Sequence, residues 1–343
     1  MADSALDALL ITHLPNVRYL CGFTGSAGIL VISHRTAVFL TDGRYELQAS
    51  HEVQSARVVI ARGPALIAAA KIAARSKSIG IEADHLSVAS RKIVASVLPK
   101  GSRLKNTRGS VESLRVIKDS EELAFIRQAV DFGSDLLPVA ITAITPGARE
   151  TEVAAEIEYA ARKRGAEAMS FETIVAAGER SALPHGVASS ATIPANGYVV
   201  MDFGVILHGY CSDMTRTVHC GAASREERSL YQAVLSSQLA GIEACKPGTT
   251  LADVDAAARS ELKRTRLDRY FTHSTGHGLG LEIHEPPRLA KGQDEVLQPG
   301  MVVTIEPGIY LAGQCGIRIE DVVVVTDGGH EVLTRARKEL IEI

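Results

Sequence analysis

A chain of 343 residues suffices for about two domains, each able to bury a core without covalent staples. Hydrophobic residues make up 46% and charged ones 22%, which excludes a disordered or fibrous protein; with no Trp and only 4% aromatics, the cores must be aliphatic. Thirty-seven Lys plus Arg against 40 Asp plus Glu give a net charge of -3, so there is no basic footprint for nucleic acid.

The amino-terminal MADSALDALLITHLP carries acids where a secretory leader needs its basic region, and the longest later apolar stretch, 65–74, is too short for a bilayer and broken by Lys71. Cys21, Cys211, Cys220, Cys245 and Cys315 are odd in number, far apart and without a CxxC, which predicts reduced thiols, a cytoplasmic location and no membrane partner. Residues 30–40 predict two strands about a turn at His34-Arg35, followed by a helix near 66–74 and an apolar segment at 78–81: a small α/β domain over 1–110. The glycine-rich run Gly22 to Gly28 matches neither a dinucleotide nor a phosphate loop, and GxSxG and HExxH are absent, so hydride transfer, ATP use and serine hydrolysis lack their usual motifs. Polar, Gly- and Ser-containing residues 100–113 read as a linker. Asp119 and Glu122 then match a capping box, opening a helix that Leu123, Ile126, Val130 and Leu137 carry to about Val139.

A weak duplication follows. Thr145-Pro-Gly and Lys246-Pro-Gly each open a helix, with Pro146 and Pro247 standing 101 residues apart. Each pair follows a long helix, the second starting at Ser224 with Glu227 completing another capping box. Strand-rich segments follow each shorter helix, at 173–177 and 198–203, then at 302–305 and 317–325. The repeat predicts two halves packed around one sheet, with a cleft between them.

Paired acids carry the chemistry. Asp202 ends an apolar strand; if Leu207 and His208 are central in the following turn, antiparallel pairing opposes Asp202 and Asp213, with Cβ atoms about 4.5–5.5 Å apart. A turn centred on Gly313 likewise opposes Glu306 and Glu320. Carboxylates this close repel unless a cation lies between them. His277, flanked by small residues that permit close backbone approach, completes an oxygen-rich set suited to hard or borderline ions such as Mn²⁺. Two divalent ions would balance the four negative charges, share one acid of each pair, and deprotonate a common water. The alternative from residue chemistry alone is that each acid is a solvated strand end. Asp321 adjoins Glu320, but strand alternation sends its side chain to the opposite face. His219 and His330 carry no assignment.

At these residues the chain resembles the pita-bread-fold metallopeptidases, in the Xaa-Pro peptidase branch that contains aminopeptidase P and prolidase. The matching motifs are Val200-Met-Asp-Phe-Gly204, Gly209-Tyr-Cys-Ser-Asp-Met-Thr-Arg-Thr217, Thr275-Gly-His-Gly-Leu-Gly280, Glu306-Pro-Gly-Ile-Tyr310 and Arg318-Ile-Glu-Asp321. Pro15 to Gly25 and Leu40 to Tyr45 resemble the creatinase-like domain that precedes the catalytic one in this branch. The resemblance implies an α+β chain: a creatinase-like α/β domain over 1–110, a crossover at 108–118 and a pita-bread catalytic domain over 119–343. By the same resemblance Asp202 and Asp213 hold one metal, His277 and Glu306 the other, and Asp213 and Glu320 bridge. Mn²⁺ is the expected ion, with Co²⁺ or Zn²⁺ as alternatives.

The implied reaction is hydrolysis of the bond between an N-terminal residue and proline. Glu306 relays the proton, His185 and His284 hydrogen-bond the substrate carbonyl or oxyanion, and Tyr310 and Arg318 either support the site residues from behind or position substrate. An Xaa-Pro aminopeptidase is the leading expectation. The alternatives are an Xaa-Pro dipeptidase, or a non-catalytic peptide-binding relative. The partners implied are a peptide or dipeptide with proline second and a second copy of the chain in a homodimer.

Overall fold

Short runs of Ile, Val and Leu alternate with helices through the first part of the chain and build a single mixed sheet. The computed structural model describes residues 6–343, and the chain divides into two units, Met1–Arg115 and Val116–Ile343. The first contains β1 (Ala8–Ile11), α1 (Leu14–Cys21), β2 (Ile29–Ser33), β3 (Ala37–Thr41), α2 (Glu46–Glu52) and β4 (Arg57–Ile60). It continues with α3 (Ala65–Ala73), β5 (Ser78–Glu82), α4 (Val88–Val97), β6 (Arg103–Thr107) and α5 (Glu112–Arg115). The strand order is β4-β3-β2-β1-β5-β6. The β2–β3 hairpin turns over His34 and Arg35 as expected, pairing Ile32 with Ala37.

The expected linker at 100–113 is instead part of this sheet. Residues Arg103–Thr107 run parallel to β5, from Ser78 opposite Arg103 to Glu82 opposite Thr107. An edge strand needs few apolar side chains; here Leu104 packs on the core while Arg103 and Asn106 stay in solvent.

The second unit opens with α6 (Ser120–Ser134), α7 (Leu137–Ala143), α8 (Glu150–Lys163), β7 (Ala168–Met169), β8 (Ile174–Ala177) and β9 (Gly197–Phe203). Next come β10 (Val205–Leu207), β11 (Tyr210–Cys211), β12 (Met214–Cys220), α9 (Arg225–Ala244), α10 (Leu251–Arg264), β13 (Gly276–Gly278) and β14 (Glu285–Leu289). The unit ends with β15 (Val302–Ile305), β16 (Gly308–Leu311), β17 (Cys315–Arg318), β18 (Asp321–Thr326), β19 (Gly329–Val332) and β20 (Ile341–Glu342).

Both capping boxes form, at Asp119/Glu122 and Ser224/Glu227. The helix expected to reach Val139, however, stops at Ser134. Pro138 lies in the first turn of α7, where its ring is tolerated; within a continuous helix it would clash with the preceding turn.

The duplication is written in the backbone. Gly147 donates to the Ile193 carbonyl and Gly248 to that of Leu297, both at 2.9 Å; Glu150 donates to Ala191 and Leu251 to Glu295, again at 2.9 Å. Each half buries its own core: Leu137, Val153 and Ile157 pack on Val199 and Met201, while Ile242 and Val254 pack on Val303 and Val323. The strands do not merge into the one sheet expected. They form two principal sheets, β20-β12-β9-β8 and β14-β13-β15-β18-β19, joined by isolated bonds such as that from Arg216 Nη2 to Asp321 Oδ1 at 2.7 Å. Among the described residues no helix is long and apolar enough to cross a membrane.

Candidate metal centre

Asp202 stands at the end of β9, but its partner on β12 is Thr215, not Asp213. The difference lies in the turn. His208 and Gly209 both have positive φ, 51° and 78°, so the tight two-residue turn is centred one residue later than expected and pairs Leu207 with Tyr210. Moving the centre by one residue moves the register by two, and a two-residue shift leaves side chains on the same face. Asp202 and Asp213 therefore still border one cleft, both nearly buried at 8% and 5% exposure. Gly204 permits the strand to switch sheets here, since a Cβ would stand 1.8 Å from the Ser212 carbonyl oxygen.

The second hairpin keeps the expected register. Gly308 pairs with Arg318 and Ile305 with Asp321, so Glu306 and Glu320 occupy facing positions in the gap between the two strand pairs. Pro307 adjoins that gap and has no N–H to offer a ladder. Alternation separates the adjacent acids. Glu320 Oε2 accepts Thr215 Oγ1 at 2.7 Å on the cleft side, while buried Asp321 accepts Arg216 at 2.7 Å and Gln238 at 2.8 Å on the other.

His277 reaches the acids from β13. Its Nδ1 lies 3.0 Å from the Gly278 carbonyl oxygen, which places the proton there and leaves the Nε2 lone pair facing Asp213 and Glu306, 3.6 Å from each. Burial lowers its pKa to about 4, so the ring is neutral at pH 7, as a metal ligand must be. Gly276 cannot be larger: a Cβ would lie 1.8 Å from the Thr304 carbonyl oxygen.

The electrostatics ask for a cation. Burial, then repulsion from neighbouring carboxylates, raises the pKa values of Asp213 and Glu306 well above the ordinary range. Burial and the charge of Asp202 lift Glu320 to about 8, against the opposing pull of Arg318 and Thr215. Asp202 Oδ1 is buried with no hydrogen-bond partner among the described residues. Ligand atoms of Asp213, His277 and Glu320 lie within 4.8 Å of one another. An orphaned carboxylate oxygen, a lone pair held ready and acids crowded into partial protonation fit divalent ions. Mn²⁺ at 100 times its dissociation constant is expected to stabilise the protein by about 2.7 kcal/mol, and a chelator to reverse this. Unchanged thermal melting with Mn²⁺, Co²⁺ and Zn²⁺ would remove the basis for the site.

Arg318 organises the surroundings. Nη2 donates to Asp202 Oδ2 at 2.6 Å, Nε to Thr215 Oγ1 at 3.0 Å, and Nη1 to Tyr310 Oη at 2.8 Å and the Pro184 carbonyl at 3.0 Å. Burial opposes its charge, yet Tyr310, Asp202, Glu306 and Glu320 hold it more firmly protonated than a free arginine.

Of the two roles expected of Tyr310, its place in the structure suits support from behind the site. It is 8% exposed and does not line the cleft. Its hydroxyl, pushed up to about 12 chiefly by burial, sits 2.9 Å from His273 Nε2, and His273 Nδ1 is 2.8 Å from the Ser274 carbonyl oxygen. Tyr310 thus donates to His273 and accepts from Arg318, fixing both. His273 does line the cleft and had no sequence assignment. Its one signal was standing four residues before His277, a spacing without meaning outside a helix. Thr215, equally unassigned, shares alternation with Asp213 and Thr217.

The cleft has a volume of about 600 Å³. His185 and His284 both line it, with an apolar wall of Phe171, Ile174, Val187 and Ile283. The His284 ring meets His277 edge-on, with centroids 4.4 Å apart. His185 follows Pro184, whose carbonyl Arg318 holds. All five acid and histidine ligand candidates reach this one cleft.

The family model of metallopeptidase family M24 matches residues 124–327, and that of the creatinase/prolidase N-terminal domain matches residues 1–117. A Pyrococcus furiosus protein named Xaa-Pro dipeptidase is 36% identical over 345 residues, covering 99% of this chain and 97% of its own length. The solved Xaa-Pro dipeptidase from Bacillus anthracis superposes with a TM-score of 0.97 at 41% identity, covering 100% of this chain and 96% of that one. The X-Pro aminopeptidase from Thermotoga maritima superposes with a TM-score of 0.91 at 36% identity, covering 98% of each chain. A catalytic-domain match over more than half the residues, and relatives this similar from end to end, establish that the chain is a hydrolase of metallopeptidase family M24, in the pita-bread branch that carries a creatinase/prolidase N-terminal domain.

Proposed function

We propose that this protein is an Xaa-Pro dipeptidase, a prolidase, cleaving the bond between a first residue and a C-terminal proline. The observation that carries this reading is Arg288. Two arginines line the cleft. Arg318 is committed to four acceptors, whereas exposed Arg288, opposite His277 across β13 and β14, has no hydrogen bond or ion pair with any described residue. A free guanidinium at that place suits the carboxylate that only a dipeptide presents directly on its proline. The dipeptidase relatives support the reading, and it replaces the aminopeptidase expectation, for which a free cation has no use.

Asp202 and Asp213 would hold one divalent ion, His277 and Glu306 the other, with Asp213 and Glu320 shared; Mn²⁺ is the ion we expect. Bound there, the pair would supply a deprotonated water and polarise the scissile carbonyl. Glu306, beside the attacking water, would take the proton that this water gives up and return it to the proline nitrogen. His185 and His284 would donate to the carbonyl oxygen as its negative charge grows. Arg318 and Tyr310 touch neither end of the substrate; they keep Asp202, Thr215 and the Pro184 carbonyl in place. Proline has no amide proton to satisfy, so its ring can lie against the apolar wall without a polar partner.

The test compares Ala-Pro, Ala-Pro-Ala and Ala-Ala. Ala-Pro should show the highest kcat/KM, and Arg288→Ala should raise its KM about 10- to 100-fold, the worth of a charge-assisted hydrogen bond, while barely changing Ala-Pro-Ala. Equal or faster turnover of the tripeptide returns the protein to the aminopeptidase reading. Efficient cleavage of Ala-Ala would overturn proline specificity.

A further inference from the structure

Glu285 follows His284 directly and borders the cleft, yet its side chain is only 3% exposed. Its carboxylate turns inward. Oε1 accepts the Glu282 amide at 2.9 Å, and the Glu282 carbonyl accepts the Gly280 amide at 3.0 Å. A Cβ on Gly280 would stand 2.9 Å from Oε2, so glycine makes room for the carboxylate. Loop 279–284, which presents His284 edge-on to His277, is thus closed from inside by the residue that ends it.

A positive charge reaches this carboxylate from far away in sequence. Lys118 Nζ donates to Glu285 Oε2 at 3.4 Å, and the lysine side chain is 1% exposed. Its backbone is anchored independently: the Lys118 amide donates to the Gly300 carbonyl at 2.9 Å, and Ile117 bridges to Met301. We propose that Lys118 is a positioning residue for His284: it keeps the Glu285 carboxylate inside the protein and bonded to the Glu282 amide, and so holds loop 279–284 and the His284 ring against His277. Removing the cation of a buried pair weakens the hold on its carboxylate. Relief lies close by, because Glu285 borders the cleft and can swing into it, releasing the Glu282 amide. The proposal rests on the reading of His284 as a donor to the substrate carbonyl, a contact that strengthens as the reaction proceeds, so its loss falls on kcat.

The experiment is a double-mutant cycle in the full-length, metal-loaded enzyme, with hydrogen exchange as a second readout. Lys118→Met should lower kcat on Ala-Pro about 10- to 100-fold with little change in KM, the cost of a misplaced catalytic group, and should quicken exchange of the Glu282 amide. In a His284→Ala background the same substitution should change kcat by less than about twofold. Lys118→Arg should restore much of the loss. If Lys118→Met folds poorly, Lys118→Met/Glu285→Ala removes both charges and the pin together and should give the same kinetic loss and the same fast exchange. Equal losses with and without His284, or unchanged Glu282 exchange, would overturn the proposal. A wild-type enzyme that fails to cleave Ala-Pro defeats the dipeptidase reading instead. The role of Lys118 is then decided by Glu282 exchange and by the imidazole NMR signals of His284, which must differ between wild type and Lys118→Met.

Discussion

Glu306→Gln is expected to lower kcat by about 10²- to 10⁴-fold, the range that a positioned general base or acid contributes. The amide keeps the shape of the side chain but cannot accept and return a proton. The same substitution removes one of four crowded carboxylates; burial and repulsion from its neighbours raise the pKa of Glu306, as they do those of Asp213 and Glu320. The metal-free variant should therefore melt no lower than wild type, while the stabilisation gained on adding Mn²⁺ should shrink. Steady-state kinetics with metal analysis on the same sample tests both halves. Near-normal kcat at full metal occupancy would reject Glu306 as ligand and as proton carrier.

Arg318→Met should have the second large effect, and on stability before activity. The guanidinium is 4% exposed, and its positive charge is set against those of Asp202, Asp213, Glu306 and Glu320. Removing one partner of such a buried cluster costs about 3–5 kcal/mol. The loss should depend on pH. A carboxyl held up to about 8, as Glu320 is, keeps a proton in the folded chain that the unfolded chain has already released. From the ordinary carboxylate range up to about pH 8, the metal-free protein thus loses stability as pH rises. Arg318→Met should steepen that fall, making the variant much weaker relative to wild type at pH 8 than at pH 5, and Mn²⁺ should narrow the gap. Arg318→Lys should rescue little, since one ammonium cannot span Asp202, Thr215, Tyr310 and the Pro184 carbonyl. Urea unfolding at the two pH values, with and without Mn²⁺, reads this directly; parallel pH dependence in variant and wild type would refute it.

What was legible in the sequence is what is local. Asp119 with Glu122 and Ser224 with Glu227 cap helices because both partners sit within one turn of chain, and the hairpin about Gly313 has its expected register because so short a connection leaves little freedom. Linear motifs likewise exposed the four acids and the histidine; near Asp202 and His277 those motifs include glycines whose missing side chains the backbone packing requires, Gly204 and Gly276. Local reading failed where a neighbour decided the outcome. Polar Arg103–Thr107 becomes a strand because β5 offers an open edge, and Leu137 falls in a second helix because Pro138 demands a first turn. Asp202 faces Thr215 because two left-handed residues, not the polarity of the turn, set its centre.

Only the tertiary structure decided how charge is distributed. That Arg318 is spent on Asp202 while Arg288 is left free, that Tyr310 works through His273, and that Lys118 meets Glu285 inside the protein are facts about residues brought together from separate elements. A side chain's charge is written in its letter, but its work depends on which opposite charge lies within a few ångströms and whether water is there to compete, and both are set by packing.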